Sequence, residues 1–246
     1  IRNHTVVIAG TLITVGFAVA MWRQMTLCES LIVDNAVLDA ARFNNAVAQF
    51  RTIYTSEVVT RAQAAGVTVS HDYRNIDGAI PLPATLSIML GNHLSSEENG
   101  SQTRLYSDFP FRWRTDGGPQ DNFEREALTS LRTNPENAFY RFESVDGEPV
   151  IRYATADLMR QSCVDCHNNH PDTPKSGWKV GDVRGVLAVT VPMKNAVART
   201  HAAVQSQFYA LAGCGGLVLC VFALAAVMMK RHSDSVEAAN ATLSAK

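Results

Sequence analysis

Two stretches of this 246-residue chain carry no charged side chain, and they constrain its fold more than any other feature. One is residues 5–22, TVVIAGTLITVGFAVAMW; the other is residues 208–229, FYALAGCGGLVLCVFALAAVMM. A helix that crosses a bilayer needs ~20 consecutive apolar residues. The second stretch meets that length. The first is slightly short and has the look of a signal-peptide core, but no small-x-small cleavage site follows it. Helix-forming residues run on instead past Trp22, an aromatic suited to the membrane interface. The expectation is a transmembrane helix at residues 1–25 and a second at 208–229, with a water-exposed region between them. Charged residues are only 18% of the chain, below the roughly 25% of soluble domains, in keeping with a bilayer partner. The net charge of −1 gives no electrostatic reason to expect nucleic acid. Five cysteines, an odd number, argue against a disulfide framework.

Within the second stretch Ala212 and Gly216 are four apart, with Gly213 and Gly215 beside them. Small residues at that spacing let helices approach closely, and ordinary span composition gives the same pattern. A homodimer through the helices, or a subunit of a membrane complex, is the expected assembly. Flanking charge leans mildly towards cytoplasmic termini: Arg2, His4, Lys230, Arg231 and His232 lie outside the loop, against Arg23, Lys194 and Arg199 on its side.

The region between the spans reads as α+β. Residues 26–65 form an amphipathic helix with Ala36, Ala40, Phe43, Val47, Phe50 and Tyr54 at alternate spacings of four and three, a seam for a coiled coil or for packing on its own domain. Gly66 ends it. A loop with turn signals leads to Pro83, which suits the first turn of a short helix. SSEENGSQ, residues 95–102, reads as a solvated connection. Asp121 and Glu124 form a capping signature for a helix that stops near Pro135. Asp146-Gly147 marks a hairpin tip between FYRFESV and EPVIRYA. DLMRQS, residues 157–162, reads as a short helix and VRGVLAVTVP as an apolar strand. A helix from Lys194 to residue 229 runs into the second span, and a polar tail at 230–246, with Val236, Ala239 and Leu243 on one side, starts a linker helix.

The sharpest chemical signal is Cys163-Val164-Asp165-Cys166-His167. CxxCH is the attachment signature of c-type haem. Two thiols two residues apart can each form a thioether to one vinyl group of a single porphyrin, and the next residue then offers an imidazole to the iron. Zinc is the poorer reading, because no second CxxC or His pair completes four ligands. A thioredoxin-like redox pair does not require the immediate histidine. One covalent haem c is therefore expected, on Cys163 and Cys166 with His167 as proximal ligand. Such attachment takes place outside the cytoplasm, so the loop is expected in the periplasm of a bacterial inner-membrane protein with both termini cytoplasmic.

The runs IPLPATLSIMLG (80–91), RLYSDFPFRWR (104–114), FEREALTSLRTNP (123–135), YRFE (140–143) and RYATADLMRQSCVDCHNNHPDTPKSGWKVGDVRGVLAV (152–189) closely resemble a family of periplasmic PAS-like c-type haem domains. That family lies between two transmembrane helices in bacterial adenylate cyclases, histidine kinases and chemoreceptor-like proteins. The resemblance covers about residues 66–192 and implies a PAS-like fold, with the c-type haem domain expected at 66–193. Some relatives use a cysteine as second axial ligand, but this chain has none between Cys28 and Cys163. His71, near where that cysteine would fall, is the first candidate for the distal position, with Met89 and His93 as alternatives. Arg104, Arg112 and Arg114 alternate with Tyr106, Phe109 and Trp113. The resemblance implies propionate partners beside an aromatic haem wall; an amphipathic edge strand is the plainer reading. Trp178 and Lys179 are expected to close the pocket from the other side, and His170 reads as a loop residue.

Two functions follow as expectations. The first is a sensor of redox state or of a diatomic gas that passes a signal through its transmembrane helices. The second is a membrane-anchored electron-transfer cytochrome of a respiratory or photosynthetic complex. No catalytic domain is legible, so the chain is expected to be no enzyme itself, or the input part of a longer cyclase or kinase.

Overall fold

Helix α1, Arg2–Ile53, takes in the first uncharged stretch and most of the alternating seam. It is continued by a π-helical turn, Tyr54–Val59, and by α2, Thr60–Ala64. The computed structural model describes residues 2–95 and 100–244. After α2 come two short strands, β1 (Val69–Ser70) and β2 (Ile80–Pro81), which pair in parallel, and then α3, Pro83–Ser95. The core of the expected solvated connection, residues 96–99, lies outside the described residues. The order continues β3 (Gln102–Tyr106), α4 (Asn122–Thr133), β4 (Phe139–Val145), β5 (Glu148–Leu158), α5 (Gln161–Asn169), β6 (Val183–Pro192) and α6 (Lys194–Ser244). The chain divides into one unit of Val33–Ala196 and another of Ile1–Ile32 with Val197–Lys246.

The larger unit is built on an antiparallel sheet of order β3-β6-β5-β4. Alternation along the strands sends side chains to opposite faces. On one face Phe123, Ala127, Leu128 and Leu131 of α4 bury against Tyr106, Ala154, Val186 and Ala188. Burying a large apolar side chain in this way is worth about 1.5–3 kcal/mol. On the other face Leu105 and Leu187 pack against Val47 and Phe43 of α1 and Ala84 and Ile88 of α3. The α1 seam thus packs on its own domain: Ala36, Ala40 and Val47 are buried. A polar pin fixes its register. Asn44, itself buried, donates to the Leu187 carbonyl at 2.9 Å and accepts from the Thr155 hydroxyl at 2.7 Å.

Local signals form where the spacing predicts them. Asp121 caps α4 by accepting from the Glu124 amide at 2.9 Å, and Glu124 accepts from the Gln120 amide at 2.8 Å. Asp146 and Gly147 both have positive φ, 51° and 81°, as the type I′ hairpin turn requires. DLMRQS needs a correction. Residues 157 and 158 remain in β5, where Leu158 still pairs with Val183, and the helix starts only at Gln161. Sheet pairing overrides local helix preference there, and the helix carries the CxxCH motif instead. RLYSDFPFRWR is likewise strand only as far as Tyr106; residues 107–120 form a loop that continues it.

In the second unit, Leu12, Val15 and Val19 of α1 and Leu217, Val221 and Leu224 of α6 are exposed. Water does not tolerate an apolar surface of this extent, and both helices are long and apolar enough to cross a membrane. A Cβ on Gly215 would lie 3.5 Å from the Phe17 ring, an ordinary van der Waals contact, so α1 and α6 run side by side at this point. Gln24 donates a hydrogen bond from Nε2 to Oε1 of Gln207. The expected sidedness of Leu243 in the tail falls on a side chain outside those described.

Candidate functional site

A cleft of about 180 Å³ opens in the larger unit between the π-helical turn, the start of α3, the loop 107–120 and helix α5. Thr55, Val59 and Thr60 line it from the π-helical segment, Leu82 and Ala84 from the approach to α3, and Phe109, Phe111 and Trp113 from the loop. Cys163, Cys166, His167 and His170 line it from α5 and its end. Residues three and four apart share a helix face, so α5 presents both thiols and the imidazole together. A π-helical turn holds one residue more than an α-turn and is often found at functional sites. Here the Thr60 amide bonds back to the Thr55 carbonyl.

Asp157 is the sole carboxylate among the residues that line the cleft, which also include Arg51, Arg114, Arg160 and Arg184. Arg184 donates to Asp157 Oδ2 from Nη2 at 2.8 Å and from Nε at 3.1 Å, and Arg51 donates to Oδ1. Burial by itself would raise the Asp157 pKa, but the two guanidinium groups outweigh it and hold the carboxyl down to about 2. His167 is pushed down to about 4, first by burial, then by Arg184 and His170 against Asp157. Its imidazole is therefore neutral at pH 7, the form that binds a metal. Burial and the neighbouring Cys163 push the Cys166 thiol up, so it stays protonated.

The sequence-level candidates divide. Cys163, Cys166, His167, Trp113, Arg114 and Tyr106 border the cleft. The Tyr106 ring, however, belongs to the core beneath α4, and its hydroxyl is buried without a partner among the described residues. Arg104, expected at a propionate, instead binds the buried Glu124 at 2.7 Å and the Gly118 carbonyl at 3.1 Å. The two-residue period of β3 turns it to the α4 face. Arg112 is exposed and pairs with Asp172 at 2.6 Å. His71, Met89 and His93 do not line the cleft. His71 stacks on Trp113 at 4.0 Å, Trp113 on Phe111 at 4.6 Å, and Phe111 meets His167 at 5.1 Å, so two aromatic rings separate the histidines. Met89 Sδ accepts from the Tyr73 hydroxyl at 3.3 Å. Trp178 is buried and tied to α5 through both amide atoms of Asn168. His170, read as a plain loop residue, lines the cleft and accepts the Asp172 amide at Nδ1. Arg51, Asp157, Arg160 and Arg184 escaped the sequence reading; Arg51 and Arg184 lie 106 and 27 positions from the Asp157 they bind.

The family model named Tll0287-like matches residues 30–192, a span that holds the whole sheet, the cleft and the CxxCH helix. The chain belongs to the Tll0287-like family. This is a family of periplasmic haem-binding sensor domains. No curated protein matches the chain. Haem is therefore the group to test against this Tll0287-like cleft, and the residues fit it. Among the described residues no three His, Cys, Asp or Glu gather to cage a bare ion. A porphyrin brings four nitrogens of its own and needs only axial help, which the neutral His167 can give. The apolar rings of the loop suit a porphyrin face, and the arginines suit its acid groups.

Proposed function

We propose that the chain is a membrane-anchored periplasmic sensor of the PAS-like type, holding one covalent haem c. The observation that carries this reading is the convergence of Cys163, Cys166 and His167 on one cleft from a single helix. Each thiol would add its S–H across one vinyl group, and the His167 imidazole, kept neutral by burial, would face the iron. Bound there, haem would supply an iron that changes oxidation state and accepts a second axial ligand. The chain's own part is to orient His167, to exclude water with Phe109, Phe111 and Trp113, and to neutralise acid groups. The cleft, about 180 Å³, is open at its rim. His71, stacked on Trp113 beside it, stays the first distal candidate, ahead of Met89 and His93. The signalling role is supported by unbroken helices that join domain and spans, α1 at one end and α6 at the other.

Two measurements test the proposal. The intact mass of the chain, expressed with c-type maturation, should exceed the bare polypeptide by one haem, and Cys163→Ser/Cys166→Ser should lose that increment. A bare-chain mass would end the reading. Absorption spectra with reductant, CO and NO should show a change of coordination; a spectrum insensitive to both gases, with a fixed pair of ligands, would turn the reading to electron transfer.

A further inference from the structure

The ionic set at the cleft does not sum to zero. Arg51 and Arg184 bring two positive charges to the single negative charge of Asp157, and all three line the cleft with Cys163, Cys166 and His167. Among the described residues Asp157 is the only carboxylate that either guanidinium binds. The other arginines of the lining do not share in the excess: Arg114 has Asp116 as its electrostatic counterpart, and Arg160 is exposed. One guanidinium would have neutralised Asp157. The second leaves one positive charge in excess on side chains that are only 13%, 8% and 16% exposed for Arg51, Asp157 and Arg184. Salt screens so enclosed a charge far less than one on the surface. The set is tied together from α1, β5 and β6, with Asp157 Oδ1 bound to Arg51 and Oδ2 to Nε and Nη2 of Arg184. Its field reaches the motif: His167 feels Arg184 and, with opposite sign, Asp157, and Cys166 feels Arg184 as well.

We infer that the Arg51–Asp157–Arg184 set tunes the redox balance of the haem, its excess positive charge raising the reduction potential of an iron bound at His167. This rests on the haem reading above and adds what sets the potential of that site. One electron from an external donor lowers the charge of a bound haem by one, Fe(III) becoming Fe(II). No proton moves and no bond of the set changes in that step. A fixed positive neighbour opposes the extra charge of the oxidised form, so the reduced form gains. The set thereby biases the cleft towards ferrous iron, the state that takes CO.

The test is a redox titration of the haem-loaded full chain in detergent, followed by absorption. Arg184→Gln and Arg51→Gln each bring the set to zero charge. Each should shift the equilibrium about tenfold towards oxidised haem, a fall of about 59 mV for one electron. Asp157→Asn, which leaves two positive charges, should raise the potential by a similar step. Arg184→Lys, which keeps the charge but not the planar fork, should stay near the parent. Arg112→Gln, at the exposed pair with Asp172, should do the same. Loosened packing would move the Gln and Asn variants in one direction, and would move Arg184→Lys together with Arg184→Gln. If Asp157→Asn does not fold, the contrast of Arg184→Gln with Arg184→Lys decides alone. Shifts of one sign throughout, equal shifts in Arg184→Gln and Arg184→Lys, or potentials equal to the parent overturn this assignment and leave the haem reading standing. A parent chain that carries no haem after c-type maturation overturns the haem reading, and this inference with it.

Discussion

Asp157 sits between a helix residue and a strand residue that are far from it in sequence. Arg51 comes from α1, 106 positions away, and Arg184 from β6, 27 positions away. Removing one partner of a buried ionic set costs about 3–5 kcal/mol, since the others stay buried and uncompensated. Asp157→Asn should therefore lower the stability of the chain in detergent by that order at pH 7, read from denaturant midpoints. The pH dependence has a definite sign. The folded carboxyl is held at about 2, below the ~3.9 of an unfolded aspartate. The stabilisation is complete above about pH 4 and disappears as pH falls towards 2, roughly 2–3 kcal/mol in all. Asp157→Asn should flatten the midpoint between pH 5 and pH 2.5; an unchanged slope would remove Asp157 from the acid response. CxxCH was readable because its chemistry lies within five consecutive residues. The Arg51–Asp157–Arg184 set was not, because only sheet register and helix packing bring its members together. Arg104 misled for a related reason: alternation with aromatics says that two faces exist, and not which of them meets the cleft.

Elements were legible where a single turn of chain decides them. The Asp121 cap, the Asp146-Gly147 hairpin and the seam of α1 each depend on neighbours within a few residues. The helix expected at 157–162 failed because β6 extends β5 through Leu158, a partner no local pattern announces. The π-helical turn was also invisible, since one extra residue in a helix leaves the apolar spacing almost intact. Its effect can be measured. Deletion of the exposed Ser56 should convert the segment to α-helix and rotate the residues on one side by ~100°. Helix content by circular dichroism should hold while covalent haem loading falls; full loading would mean the turn does not shape the cleft. Gly185, the residue after Arg184, shows how closely β3 and β6 approach at the same end. A Cβ there would stand 2.3 Å from the Tyr106 carbonyl oxygen, a backbone atom that cannot swing aside. Gly185→Ala should cost ~2–3 kcal/mol, and a midpoint equal to wild type would show that the strands part freely. Asn44→Ala, which leaves the α1 pin unmade, should cost about 1–3 kcal/mol by the same measurement.

At the scale of the whole molecule the proposed function ties the cleft to a compartment. Thioether attachment requires reduced thiols outside the cytoplasm, so on that proposal the Val33–Ala196 unit would lie on the outer side of a bilayer crossed by the two apolar helices. With a span on either side of that unit, the segment after the second span must then be cytoplasmic, and Lys230 and Arg231 immediately beyond residue 229 are the cations that favour this side. A phosphatase that works only in the periplasm, fused after Lys246, should be inactive, whereas the same enzyme inserted at the Asp146-Gly147 tip should be active. A cytoplasmic reporter should give the reverse pattern. Replacing Lys230 and Arg231 by glutamine should weaken the bias and, in the fraction of chains that invert, abolish haem attachment along with the change in reporter. An active phosphatase at residue 246 in the unmodified chain would put Cys163 and Cys166 inside the cell. The covalent-haem reading would then fail on topology, however well the cleft is shaped for it.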